Sequence, residues 1–180
     1  LVFRAAETLK GTHDCEYEAH HVLARKAASE GAVLLKNEAN ILPLRENTKT
    51  ALIGHMAKDL RYQGAGSSHI NATRVSQPID SLPHSSYAEG CDAHGDTTDA
   101  LLAEVSVAAK AAEIAVVFAG LPDRFESEGF DRENMELPEG HNRMIEAAVE
   151  ANPNTVVVLL CGAPVECPWT DQVKGILYMG

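Results

Sequence analysis

The run "EIAVVFAG", residues 113–120, carries no polar side chain after Glu113. A strand that is wet on one side alternates apolar and polar residues. A strand without alternation is buried on both faces, as in parallel sheets covered by helices. "NTVVVLLCG" (154–162) reads the same way, and "KGILYMG" (174–180) reads as a third buried strand. "LPEGHNRMIEAAVEAN" (137–152) has the spacing of an amphipathic helix, and "DTTDALLAEVSVAAKAA" (96–112) is a strong helix capped by Thr97 or Thr98. Upstream, "AVLLKN" (32–37), "TALIGH" (50–55) and "SSYAEG" (85–90) are short strands. "EYEAHHVLARKAASE" (16–30) is a helix stopped by Gly31, and "SQPIDSL" is a short helix with Ser76 as its cap. Strands alternating with helices predict an α/β fold, a doubly wound three-layer α/β/α sandwich with a mostly parallel, flavodoxin-like sheet.

The chain has 180 residues, enough for one domain with a substantial core. Its formal net charge of −11 argues against binding nucleic acid or an anionic membrane, both of which are polyanions. No apolar run approaches the ~20 residues of a membrane span. The opening "LVFRAAETLKG" shows no signal peptide and reads like the middle of a protein. Cys15, Cys91, Cys161 and Cys167 form no Cys-x-x-Cys pair, so reduced thiols and a cytoplasmic location are expected.

In open α/β sheets, ligands meet the loops at the carboxyl ends of strands. Three loops there are informative: "GHMAKDLRYQGAGSS", "GLPDRFESEGFDREN" and "CGAPVECPW". The segment "RFESEGFDRENMELPEG" (124–140) holds Glu126, Glu128, Asp131, Glu133, Glu136 and Glu139. A carboxyl group serves as a general acid when its surroundings raise its pKa, and crowding by other carboxylates is one way to do so. Glu128 precedes Gly129, which permits a sharp turn, and Phe130, which offers an apolar wall; Glu126 is equally placed. Asp131 and Arg132 read as an ion pair tying the loop down, and Glu139 sits at the positive end of the next helix. The competing reading is a solvated acidic loop.

"YQGAGSSHI" resembles a phosphate cradle but lacks the P-loop lysine after Gly66 and the third Rossmann glycine. It reads instead as a surface loop or as the wall of a polar ligand pocket. His13, His20 and His21 lie near Cys15 and Glu16, but adjacent histidines on a helix point ~100° apart, so no metal site is expected. No Gly-x-Ser-x-Gly nucleophile elbow occurs. Trp169 is either core or a ligand-stacking ring.

Three stretches together carry a resemblance. They are "HHVLARKAASEGAVLLKNEANILPL", "YQGAGSSHI" and the long run from "AVVFAGLPDRFESEGFDREN" to "CGAPVECPW". Over roughly residues 16–180 the chain resembles the second domain of a glycoside hydrolase family 3 β-glucosidase. The resemblance implies a (β/α)8 barrel that supplies an aspartate nucleophile and an α/β sandwich whose loop supplies the acid/base glutamate. The active site lies between them, and hydrolysis retains configuration. The acid/base of many members sits in a Glu-Gly-aromatic pattern, here Glu128-Gly129-Phe130, with Glu126 the runner-up. Gly66, Ser67, Ser68 and Phe130 then border the sugar, a β-glucoside or oligosaccharide, with no cofactor and no metal.

The same resemblance marks departures. No "SDW"-like nucleophile segment is present. Residues 1–15 are expected to be the tail of the barrel and its linker. Residues 16–180 are expected to be the sandwich, incomplete at its C-terminus because the family continues into a "PGQEGG"-like segment. Taken alone the chain is expected to be inactive. The alternative is a non-catalytic sugar-binding or interaction module.

Overall fold

The computed structural model describes residues 1–10, 15–129 and 131–180. The chain divides into two compact units, Leu1–Glu30 and Gly31–Gly180. The first holds helix α1 (Val2–Thr8) and almost all of α2 (Tyr17–Gly31). The second holds strands β1 (Val33–Asn37), β2 (Thr50–Ile53), β3 (Ser86–Ala88), β4 (Ile114–Gly120), β5 (Thr155–Leu160) and β6 (Gly175–Tyr178). It also holds the helices α3 (Pro78–Ser81), α4 (Asp99–Ala111) and α5 (Glu139–Ala151). No described helix is long and apolar enough to cross a membrane.

The six strands form one sheet in the order β1-β6-β5-β4-β2-β3. Strands β2 to β6 are parallel to their neighbours, and β1 runs antiparallel to β6 at the edge. Without β1 the order is β3-β2-β4-β5-β6, which is the 2-1-3-4-5 order of flavodoxin-like sheets. The strand order reverses between β2 and β4, and this switch point is where such folds open a crevice.

The apolar runs behave as their lack of alternation requires. Every residue of β5 is buried, and so is every residue of β4 after Ile114. One face packs Ala115, Val117, Ala119, Val157 and Leu159 under Val105 and Ala109 of α4 and Met144, Ile145 and Ala148 of α5. The opposite face packs Leu52, Val116, Phe118, Val158 and Leu160 against Met56, Ala57, Leu60, Ile79 and Leu82. Each fully buried aliphatic side chain contributes ~1.5–3 kcal/mol, so the β4–β5 pair anchors the core. Strand β6 departs from the expectation of full burial: Gly175 and Ile176 are buried, but Leu177 and Tyr178 are only partly so. Its neighbour β1 is an edge strand with half-exposed Val33 and Leu34, so it covers β6 incompletely.

The caps sharpen the reading of the helices. Thr98 is the N-cap of α4, its side chain accepting from Leu101 N, while the Thr97 hydroxyl donates to Gly90 O. Ser76 does not cap α3. Pro78 occupies the first turn, which makes Gln77 the N-cap, and the Gln77 side chain accepts from Leu60 N instead. Trp169 is fully buried and donates from Nε1 to Asn142 Oδ1 at 3.0 Å, so it is core and stacks on no ligand.

His141, at the start of α5, is a buried titratable group in direct contact with the end of β4. Its Nδ1 accepts from Gly120 N at 3.2 Å, so that nitrogen carries no proton. Burial pushes its pKa down to about 4. A base with a lowered folded pKa contributes stability that is fully present above the ordinary value of 6.5 and is lost as pH falls toward 4. Urea unfolding at pH 7 and pH 5 is therefore expected to show a loss of ~2 kcal/mol from this group. His141→Asn, which keeps an acceptor for Gly120 N but does not titrate, is expected to be less stable at pH 7 and to lose less on acidification.

Candidate active site

Because β2 to β5 are parallel, the loops that follow them leave the sheet at one edge. The 54–77, 89–98, 121–138 and 161–174 connections meet there, and charged side chains tie them together. Arg61, after β2, reaches the loop after β4 through all three guanidinium nitrogens. Its Nη1 donates to Glu126 Oε2 at 2.7 Å, its Nη2 to Glu126 O at 2.9 Å, and its Nε to Asp123 Oδ1 at 3.1 Å. Gly162 N, after β5, donates to the same Glu126 Oε2 at 3.2 Å. Arg124 forks onto both carboxylate oxygens of Asp96, after β3, at 2.7 and 3.2 Å. Arg132 Nη2 donates to Pro164 O at 2.8 Å, so it anchors on the β5 loop rather than on Asp131. Its Nη1 is buried without a hydrogen-bond partner.

Glu128 meets the glycine-rich loop. Ser67 N donates to Glu128 Oε2 at 2.8 Å. The turn depends on glycine at two points. Gly66 has φ +77°, and a Cβ there would lie 2.7 Å from Glu128 Cβ. Gly129 has φ +98°, which lets the chain reverse directly after Glu128. Ser68 turns back on its own loop, its Oγ donating to Ala65 O. Of the predicted site residues, Gly66, Ser67 and Glu128 are thus brought together, and Ser68 and Glu126 face other partners. Phe130 lies outside the described residues.

The two glutamates sit in opposite environments. Glu126 is largely buried, its side chain 23% exposed, and its carboxylate is held by a guanidinium and a backbone amide. Glu128 is solvent-exposed, and bonds from the Ser67 side chain and then the Ser67 amide hold its pKa below the ordinary value. Crowding of acids therefore does not raise Glu128: the bonds from Ser67 outweigh desolvation. As presented, Glu128 is a carboxylate, ready to accept a proton. To donate one it needs a cover that excludes water or brings a second negative charge. Cys161, beside Glu126, is no competing nucleophile, since burial pushes its thiol up to about 11.

A hollow of about 320 Å³ opens at the switch point. Its walls include His55, Arg61, Tyr62, His69, Asp123 and Arg124, so it shares Arg61 and Asp123 with the loop network. Among the described residues no three His, Cys, Asp or Glu side chains converge as a metal site requires. Arg61 was not singled out by sequence reasoning. The available signal was an arginine just before a glycine-rich loop, opposite a surplus of carboxylates.

Comparison with known proteins adds four findings. The pattern of the glycosyl hydrolase family 3 C-terminal domain matches residues 32–180. Thermostable beta-glucosidase B of Acetivibrio thermocellus is 47% identical, over 100% of this chain and 25% of that protein. An exo-alpha-(1->6)-L-arabinopyranosidase of Bifidobacterium longum is 38% identical, over 90% of this chain and 23% of that protein. A crystal structure of a Bifidobacterium adolescentis beta-glucosidase superposes with a TM-score of 0.89 at 38% identity, covering 98% of this chain and 27% of that one. The chain thus spans about a quarter of the length of the curated relatives it matches.

Two substitutions test the Ser67–Glu128 contact. Ser67→Ala removes the hydroxyl that helps hold the Glu128 carboxyl low, and that carboxyl is expected to titrate at higher pH, closer to its ordinary value, in a carbon-detected NMR titration. Gly66→Ala adds a Cβ against Glu128 in a left-handed turn. It is expected to break the Ser67 amide bond and to cost ~1 kcal/mol in urea unfolding.

Proposed function

The chain belongs to glycosyl hydrolase family 3, and from that premise we propose that it supplies the general acid/base to a retaining β-glucosidase. In this reading Glu128 protonates the glycosidic oxygen while an aspartate on a (β/α)8 barrel attacks the anomeric carbon. Glu128 then takes a proton from water as the glycosyl-enzyme is hydrolysed. The single observation that carries the assignment is the contrast between the two candidate acids. Glu126 is committed to Arg61 and Gly162, whereas Glu128 is exposed beside the Ser67 turn. A carboxyl group that must both give and take a proton needs an open approach to its oxygens.

A retaining mechanism needs two carboxyl groups ~5–5.5 Å apart, one of them a nucleophile. No second carboxylate on the sandwich is assigned that role, so the sandwich acts only with a partner domain that carries the aspartate. That partner also supplies what the exposed carboxylate lacks. A barrel closing over Glu128 with a sugar between them removes water, and the aspartate adds like charge; both raise the Glu128 pKa toward that of a proton donor. Which sugar is cleaved is set elsewhere. Relatives named for a β-glucosidase and for an arabinopyranosidase both match over 90% or more of this chain.

Three outcomes test the reading. The 180-residue chain alone is expected to show no turnover of nitrophenyl glucosides. In an enzyme joining this sandwich to its barrel, Glu128→Ala is expected to slow hydrolysis of poor leaving groups by ~10²–10⁴-fold and of dinitrophenyl glucosides far less. Azide is expected to restore turnover as a glycosyl azide. The same pattern in Glu126→Ala, and its absence in Glu128→Ala, would move the role by two residues.

A further inference from the structure

The Arg61–Glu126 pair is the least exposed ion pair at this edge among the described residues, with side chains 14% and 23% exposed. The Ser67–Glu128 hydrogen bond, by contrast, lies in solvent. An exposed hydrogen bond competes directly with water and does not order two loops by itself. The buried pair joins the same two loops. Arg61 lies six positions before Ser67, and Glu126 two positions before Glu128. The guanidinium fork binds side chain and main chain of Glu126 and also the Asp123 carboxylate, so it fixes the orientation of the β4 loop as well as its distance. Gly162 N closes the arrangement from the β5 side.

We infer that Arg61 is a positioning residue, whose three-point hold on Asp123 and Glu126 sets the Ser67 turn opposite the Glu128 carboxylate. Arg61 touches no reacting atom in this scheme. It acts through Glu126, which makes the runner-up acid a structural partner of the proton carrier. The functional meaning rests on Glu128 being the acid/base, but the geometric claim does not.

The test uses the 180-residue chain and reads Glu128 directly. In Arg61→Ala the Glu128 carboxyl is expected to titrate at its ordinary value, above that of the unsubstituted chain. The Ser67 amide is expected to lose its downfield, hydrogen-bonded proton shift. Glu126→Gln, which keeps the volume and removes the charge but leaves Arg61 its bonds to Glu126 O and Asp123, is expected to shift both signals in the same direction by less. The double variant is expected to match Arg61→Ala, because both changes act on one link. Arg61→Lys keeps a cation but loses the fork, and is expected to fall between. Variants that retain a native amide spectrum with Glu128 and Ser67 unchanged would overturn the inference. Unfolding of all three single variants would also overturn it, since the pair would then hold the fold rather than the site. Neither result bears on the acid/base assignment, which fails separately if Glu128→Ala in the barrel-containing enzyme keeps its activity on poor leaving groups.

Discussion

Strands β4 and β5 have no wet face, and that constraint arranges the rest of the molecule. With Val116 and Phe118 packed to one side and Val117 and Ala119 to the other, no polar group can project from the middle of the sheet without being desolvated. Polar chemistry is confined to the places where the strands run out. Because the strands are parallel, all of their C-terminal ends are on one edge, and four loops that are distant in sequence become neighbours. The acidic segment is there because the sheet leaves it nowhere else to be.

Once the loops converge, their charges sort by solvation. Net charge and carboxylate count alone describe a repulsive surface, yet the arginines on these loops neutralise selected acids. Arg61 takes Asp123 and Glu126, and Arg124 takes Asp96. Glu128 stays open to solvent, as do Asp131, Glu133 and Glu136, but it alone of these accepts from the Ser67 amide, and its pKa is held below the ordinary value. That state suits a proton acceptor. The proton equilibrium of an exposed carboxylate responds to burial and to nearby charge, so that of Glu128 would rise if this edge were covered.

Much of this was legible beforehand. The absence of alternation in residues 114–120 and 155–160 marked two-sided burial, and the helix signals at Thr98 and Glu139 placed α4 and α5 within a few residues. Topology then implied that the loops after β2, β4 and β5 share an edge. The misses have a common cause. Ser76 has the residue type of a cap, but Pro78 in the first turn makes Gln77 the N-cap, and the Gln77 side chain accepts from Leu60 N. Type alone leaves Trp169 between core and ligand, and its burial follows from packing against α5 that no local pattern states. An arginine in a polar loop, such as Arg61, carries no signature until its partner is in place.

By itself the sequence determined the architecture and the address of the chemistry, since hydrophobic periodicity is a local property that dictates which segments must be buried and therefore where polar loops emerge. Residue type and spacing left Glu126 and Glu128 equally placed, and only the family resemblance favoured Glu128. They are two residues apart, of one type, in one loop. Their difference comes from groups 65 and 61 positions away, the Arg61 guanidinium and the Ser67 amide. A pairing of that range exists only after the chain has closed its loops, and so the tertiary structure alone decided which acid is buried in an ion pair and which is offered to solvent.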